Sequence, residues 1–243
     1  MTAIPASAIL AFDTATELLS IAVAAHGRVL VHESAGGAQA SVALIPAVLA
    51  LLARAGSTLA ELDAIAFGRG PGAFTGLRTA CSVAQGLALG ARKPVLPIDT
   101  LLAVAEDARA GRDRLRAWVA MDARMDEIYA AQYEFDATDG WRTLDAPMLT
   151  TPDALHARWA VRPPELVAGN ALAAFGPRLV AGSAELAPDA MPRAAAMLPL
   201  AQAMWARGEA VAPAQALPLY LRDKVAQTTE ERDAARSAKE AVK

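Results

Sequence analysis

The chain has 243 residues, 54% hydrophobic and 20% charged, and its 23 Lys plus Arg against 26 Asp plus Glu leave a formal net charge of −3. This much apolar side chain excludes disorder for most of the length, and the acidic balance does not support a wholly basic nucleic-acid grip. One cysteine, Cys81, and three scattered histidines, His26, His32 and His156, exclude a disulfide framework, a thiolate cluster and a His-x-x-x-His metal pair.

From the N-terminus, residues 3–12 are apolar but follow no basic region and end at Asp13, unlike a secretion signal. Residues 9–24 read as strand, polar turn, strand, because apolar β-formers flank a turn of Asp and Thr. Gly27 turns the chain into a third strand at 29–32. Residues 41–55 form a predicted helix stopped by Gly56, with apolar side chains pointing all round it. Such a helix is expected to be buried on every face, the last face by a second polypeptide. The longest apolar run, 42–53, holds Pro46 and is short of the ~20 residues a membrane span needs. The expectation is a soluble cytoplasmic protein with no membrane partner.

A short strand at 62–67 leads into the run GRGPGAFTGLR at 68–78, which opens a helix to about residue 89. Its glycines could admit an anion, but neither the Walker nor the dinucleotide spacing is present. A tight packed loop with Thr75 as helix cap is the favoured reading. On the helix, Gly76, Ala80 and Ala84 recur every four residues beside Leu77, Val83 and Leu87, a small-faced stripe suited to close helix packing. A strand at 94–98 and a helix at 100–110 follow. Residues 117–133 (AWVAMDARMDEIYAAQY) repeat the strand, acidic turn, strand pattern, with Asp122 equivalent to Asp13. This suggests an internal duplication. Beyond lie a strand and turn at 166–170, a helix from about 198 to 207 with Pro199 in its first turn, an extended segment at 217–222 and a charged tail from about 227.

No nucleophile–base set emerges, and Cys81 on a packed helical face reads as an inert thiol. Arginine outnumbers lysine 19 to 4, so a single arginine says little about phosphate. Asp13, Thr14 and Thr16 could hold a metal-bound phosphate, but Ala15 crowds the approach. With Gly70, Gly72, Thr75 and Gly76 they form the candidate nucleotide-proximal set. The candidate partner interface is Leu44, Ile45, Val48, Leu51, Leu52, Gly76, Leu77, Ala80, Val83, Ala84 and Leu87.

The runs ILAFDTATE at 9–17, GRGPGAFTGLR at 68–78, AQGLALG at 84–90, MDARMDEIY at 121–129 and PLYLR at 218–222 resemble the TsaB family. Ala73 stands where that family often has Ser, and Asp126 where it often has Gly. The resemblance implies an α/β architecture of two tandem actin-like (RNase H-like) lobes, 1–105 and 106–243, with the last extended segment returning to the first lobe. It also implies a non-catalytic dimerisation subunit, without a metal or cofactor of its own, for the machinery that makes threonylcarbamoyladenosine at position 37 of tRNAs reading ANN codons. Its implied partners are the transferase TsaD through the two first-lobe helices, the ATPase TsaE, a functional link to threonylcarbamoyl-AMP synthase, and a second copy of itself when isolated. ATP or ADP would belong to the assembled complex, and contact with tRNA would be indirect. The alternative is an independent enzyme, a glycoprotease-type peptidase or an actin-like small-molecule kinase.

Overall fold

The computed structural model describes residues 7–222; the predicted charged tail lies outside them. The first half builds β1 (Ile9–Asp13), β2 (Leu18–Ala25), β3 (Arg28–Ala35), α1 (Ala40–Ala55), β4 (Ala64–Gly70), α2 (Phe74–Ala91), β5 (Val95–Asp99) and α3 (Thr100–Arg109). The second half builds β6 (Arg114–Arg124), β7 (Glu127–Asp136), β8 (Gly140–Thr150), α4 (Pro152–Val161), β9 (Leu166–Ala168), α5 (Ala171–Phe175), β10 (Glu185–Ala187) and α6 (Ala194–Ala206).

The strand orders are β3-β2-β1-β4-β5 and, read from the corresponding edge, β8-β7-β6-β9-β10. In both sheets the three-strand meander is antiparallel and the last two strands join in parallel. The duplication inferred from two similar turns is therefore a duplication of complete topology. β1 is buried along its whole length, as a central strand covered on both faces must be, which is why ILAF shows no polar alternation.

Its own chain buries one stripe of α1 and leaves open the face expected to lie against a second polypeptide. Leu44, Val48, Leu51 and Leu52 sink into a core with Leu10, Phe12, Leu19 and Ile21. Each such side chain contributes about 1.5–3 kcal/mol relative to exposure. The opposite face carries Val42, Ile45 and Leu49 at 79%, 42% and 48% exposure. The helix is thus two-faced, its second stripe apolar rather than polar. Gly56 ends it in the left-handed conformation, as expected.

α6 revises the lobe boundary. It begins at Ala194, so Pro199 lies in its interior rather than its first turn. Its Ala194, Met197, Leu198 and Ala201 pack on Ile9, Ala11, Ala22, Ala64 and Leu96 of the first sheet. The segment after it stays on the first lobe, where Val211 bridges Val95 and the Leu219 N–H donates to the Arg69 carbonyl at 2.7 Å. Nor does a boundary fall at residue 105. α3 gives Leu101, Val104 and Ala105 to the second core and Ala103 to the first, so one helix serves both lobes.

Candidate functional site

The C-terminal end of β1, the N-termini of α2 and α3 and the β6–β7 turn converge on a cleft of about 400 Å³ between the lobes. Its walls are largely apolar and aromatic, with Phe74, Leu77, Met121, Met125, Tyr129 and Met191, and its polar groups include Thr16, Glu17, Asp122, Arg124, Asn170 and Arg222. Asn170, in the turn after β9, accepts the Asp122 N–H at 2.8 Å. Arg124 at the β6–β7 turn bonds Glu17 at the β1–β2 turn, so the two equivalent hairpin turns touch across the cleft.

Of the candidate nucleotide-proximal residues, Thr16 and Gly72 line this cleft. Asp13, Thr14, Gly70 and Gly76 are buried beneath it, and Thr75 is exposed on α2. Asp13 Oδ1 accepts the Ala15 N–H at 2.6 Å and Oδ2 accepts the Thr100 hydroxyl at 3.0 Å. Thr100 in turn accepts the Gly70 N–H at 3.1 Å. Burial dominates these bonds and pushes the Asp13 carboxyl up to about 6.

The glycines of 68–78 are explained by this packing. A Cβ on Gly68 would stand 1.7 Å from Asp13 Oδ2, and one on Gly76 would stand 1.9 Å from the Thr14 carbonyl. Gly72 faces Ala15, and Gly70, at φ +110°, faces the Leu219 carbonyl. The Ala73 N–H, a donor a phosphate cradle would offer, bonds the Ala15 carbonyl at 2.8 Å. The loop is filled by its own chain, so these residues do not fit a bound phosphate. Thr75 is no cap either: the N-cap position is Ala73, and no side chain caps the helix. Among the described residues, no group of three or more His, Cys, Asp and Glu is placed to hold a metal ion. None of their helices is long and apolar enough to cross a membrane.

The segment 213–222 runs along α2 and its last four residues strap the cleft mouth. The Ala216 carbonyl accepts from Cys81 Sγ at 2.8 Å and Gln85 Nε2 at 2.9 Å. Tyr220 packs on Phe74 with ring centroids 5.2 Å apart, and Arg78 lies 3.8 Å over the Phe74 ring. Arg222 pairs with Glu127 and donates to the Arg124 carbonyl, reaching the second lobe. Burial raises the Cys81 thiol above its ordinary value, in keeping with an inert role.

The candidate interface residues divide by face. Leu44, Val48, Leu51, Leu52, Gly76, Leu77, Ala80 and Ala84 are buried within this chain, and half-buried Val83 and Leu87 lean on the same core. The buried eight cannot form the contact surface, because α1 and α2 turn them toward their own sheet, and Val83 and Leu87 offer only part of their surface. Ile45 alone of the set is exposed, with Val42, Leu49 and, on α2, Leu89 at 74%. Gly86 and Gly90 on α2 have nothing within 4 Å of where a side chain would begin, so no internal contact requires a glycine there. The sequence signal for this outer face was the surplus of apolar residues on α1 beyond what one sheet can cover.

Two matching five-strand lobes around a cleft define a protein of actin-like, TsaD-type fold. The family model described as "TsaD: tRNA N6-adenosine threonylcarbamoyltransferase" matches residues 29–242. The tRNA threonylcarbamoyladenosine biosynthesis protein TsaB of Escherichia coli (strain K12) is 37% identical over 221 residues, 90% of this chain and 96% of that protein. Its counterpart from Haemophilus influenzae is 32% identical, over 89% and 94% of the two chains. The solved structure of YeaZ from Pseudomonas aeruginosa superposes with a TM-score of 0.80 at 38% identity, covering 88% of this chain and all of that one. The chain belongs to the TsaB family, proteins of tRNA threonylcarbamoyladenosine biosynthesis.

Proposed function

We propose that the chain is the non-catalytic docking subunit of this pathway, holding TsaD in a competent conformation through the outer face of α1 and α2. The observation that carries the reading is the exposed apolar stripe Val42, Ile45 and Leu49 on α1, together with exposed Leu89 and the open Gly86 and Gly90 on the neighbouring helix α2. The stripe is left uncovered by the described residues, while the other faces of both helices are spent on the chain's own core. Single exposed apolar residues are ordinary, but three in one stripe of a helix, with another on the helix beside it, favour an interface. An interface of ~1,600 Å² would desolvate it. TsaE would act on the assembled pair, the threonylcarbamoyl-AMP synthase would supply it, and adenine nucleotide would bind at the level of the complex in the cytoplasm. In isolation the same face would pair two copies of this chain.

Leu51→Glu or Ala80→Arg would test the core rather than the interface, since both sites are buried. Ile45→Glu and Leu49→Glu test the surface. Each variant is expected to keep the wild-type circular dichroism spectrum and melting temperature while losing capture of TsaD by at least about a hundredfold, with loss of modified tRNA in the reconstituted reaction. Wild-type capture by both variants refutes the surface. Nucleotide turnover by the purified chain alone refutes the non-catalytic role.

A further inference from the structure

Although the net charge is −3, the cations are not evenly neutralised. Most arginines among the described residues sit in ion pairs, including Arg69, Arg109, Arg116, Arg124, Arg193 and Arg222. Arg28, Arg54, Arg92 and Lys93 have no carboxylate within ion-pairing reach among those residues. All four lie at one end of the first sheet, the end opposite the cleft. Arg28 opens β3, where it pairs with Ala25 at the end of β2. Arg54 is in the last turn of α1, and Arg92 and Lys93 join α2 to β5. The five strands place Arg28 and Lys93 on opposite flanks of a band about 19 Å wide, from the ~4.8 Å spacing of neighbouring strands. Arg28, Arg54 and Arg92 are exposed, and exposed His26 adjoins them in the β2–β3 turn.

The acids at this end offset only part of this charge: Glu61, held below its usual value by the Thr58 N–H and hydroxyl, and Asp63, which accepts the Ala8 N–H, stand against the four cations, while Glu209 is paired with Arg207. Helix-end cations favour the macrodipole, which accounts in part for Arg54 and Arg92. It does not account for Arg28, nor for the backbone at Arg92. That residue holds the left-handed conformation at φ +55°, in the C-cap position that glycine fills most easily. His26 holds φ +50° in the neighbouring turn. Arg92 and His26 thus stand at this end in backbone positions that disfavour any side chain, the kind of local cost that a functional constraint explains.

We propose that this band is an RNA contact surface, binding the phosphodiester backbone of the tRNA that the pathway modifies, so that tRNA contact is direct. It borders the C-terminal ends of α1 and α2, whose outer faces carry the proposed partner surface. A polyanion could therefore span both subunits without crossing the acidic remainder of this one. Phosphate contacts of this kind supply affinity and orientation, while sequence discrimination would come from elsewhere.

The test uses the full chain alone, so it stands apart from the partner reading. Binding of fluorescent tRNA is followed by anisotropy between 25 and 200 mM KCl for wild type, the quadruple alanine variant of Arg28, Arg54, Arg92 and Lys93, and Arg162→Ala on the second lobe. The quadruple variant is expected to bind at least tenfold more weakly at 50 mM KCl, and the slope of log affinity against log salt to flatten by roughly 3. Arg162→Ala should match wild type. Arg92→Gly separates function from fold, since it should raise the melting temperature and weaken tRNA binding together. The proposal is overturned if wild type fails to bind at 25 mM KCl, or if the quadruple variant binds like wild type. It is equally overturned if Arg162→Ala loses as much, or if polyglutamate binds the band more tightly than tRNA does.

Discussion

Asp13 and Thr100, 87 residues apart in the chain, share a 3.0 Å hydrogen bond beneath the interlobe cleft. The bond ties the end of β1 to the start of α3, the helix whose side chains enter both cores. Asp13 is fully buried, with its carboxyl pushed up to about 6. The folded state therefore holds a proton that the unfolded chain releases near 3.8. Between those values the native state binds more protons, so this group's contribution to stability falls as pH rises toward 6 and is flat above it. Its cost at neutral pH is about 3 kcal/mol, the shift converted at 1.36 kcal/mol per unit.

Asp13→Asn should remove that dependence. Urea denaturation at pH 7.5 and pH 5 is expected to show wild type gaining about 1 kcal/mol on the variant at the lower pH. Carboxyls held low by their partners, such as Glu134 beside Arg142 and Arg116, act in the opposite direction in both proteins and cancel in the comparison. Identical pH profiles for the two proteins would show that Asp13 is ionised in the fold without penalty.

Gly76→Ala and Gly86→Ala lie ten residues apart on one helix and should behave oppositely. The first forces a methyl group into the Thr14 carbonyl and is expected to cost at least about 3 kcal/mol. The second meets open space in a helix interior and should stabilise by roughly 0.5–1 kcal/mol. A thermal melt measures both. If Gly86 sits under a partner helix, the more stable variant will also capture TsaD more weakly.

Ala110 holds a left-handed conformation at φ +48° where α3 ends, and it is exposed. Ala110→Gly should relieve that strain and raise stability by about 1 kcal/mol, read as a shift of the urea midpoint at unchanged slope. A lower midpoint would mean the methyl group has a packing role.

The strap should control access to Cys81. Arg222→Ala removes its anchor on Glu127 and the Arg124 carbonyl, and the thiol under Ala216 should then alkylate roughly fivefold faster, as a loss of about 1 kcal/mol in local stability implies. Iodoacetamide labelling followed by mass spectrometry gives the rate. Equal rates would place the opening elsewhere than at Arg222.

Much of this architecture was legible in residue order. The two meanders, the helices at 41–55 and from 74, and the strand before each were set by alternation, apolar runs and glycine stops. α4 was hidden because its start signal, Thr151 followed by Pro152, sits in a stretch whose prolines at 163 and 164 dominate the reading. α6 was seen in part, but nothing local announces that its apolar side chains belong to a sheet formed more than 90 residues earlier. The glycine loop shows the same limit. Its composition suits either an anion or a carbonyl, and only the contacts of Gly68 and Gly76 decide. The exposed face of α1 was similarly masked, since both of its stripes are apolar.

The placement of α6 also bears on how the protein is made. Until residues 194–201 leave the ribosome, Ile9, Ala11, Ala22, Ala64 and Leu96 line a sheet with one bare side. At 5–20 residues per second that exposure lasts roughly 5–20 s, long enough for a nascent chain to need a chaperone's shelter. A gene fragment ending at residue 105 should yield aggregate rather than a soluble half-molecule.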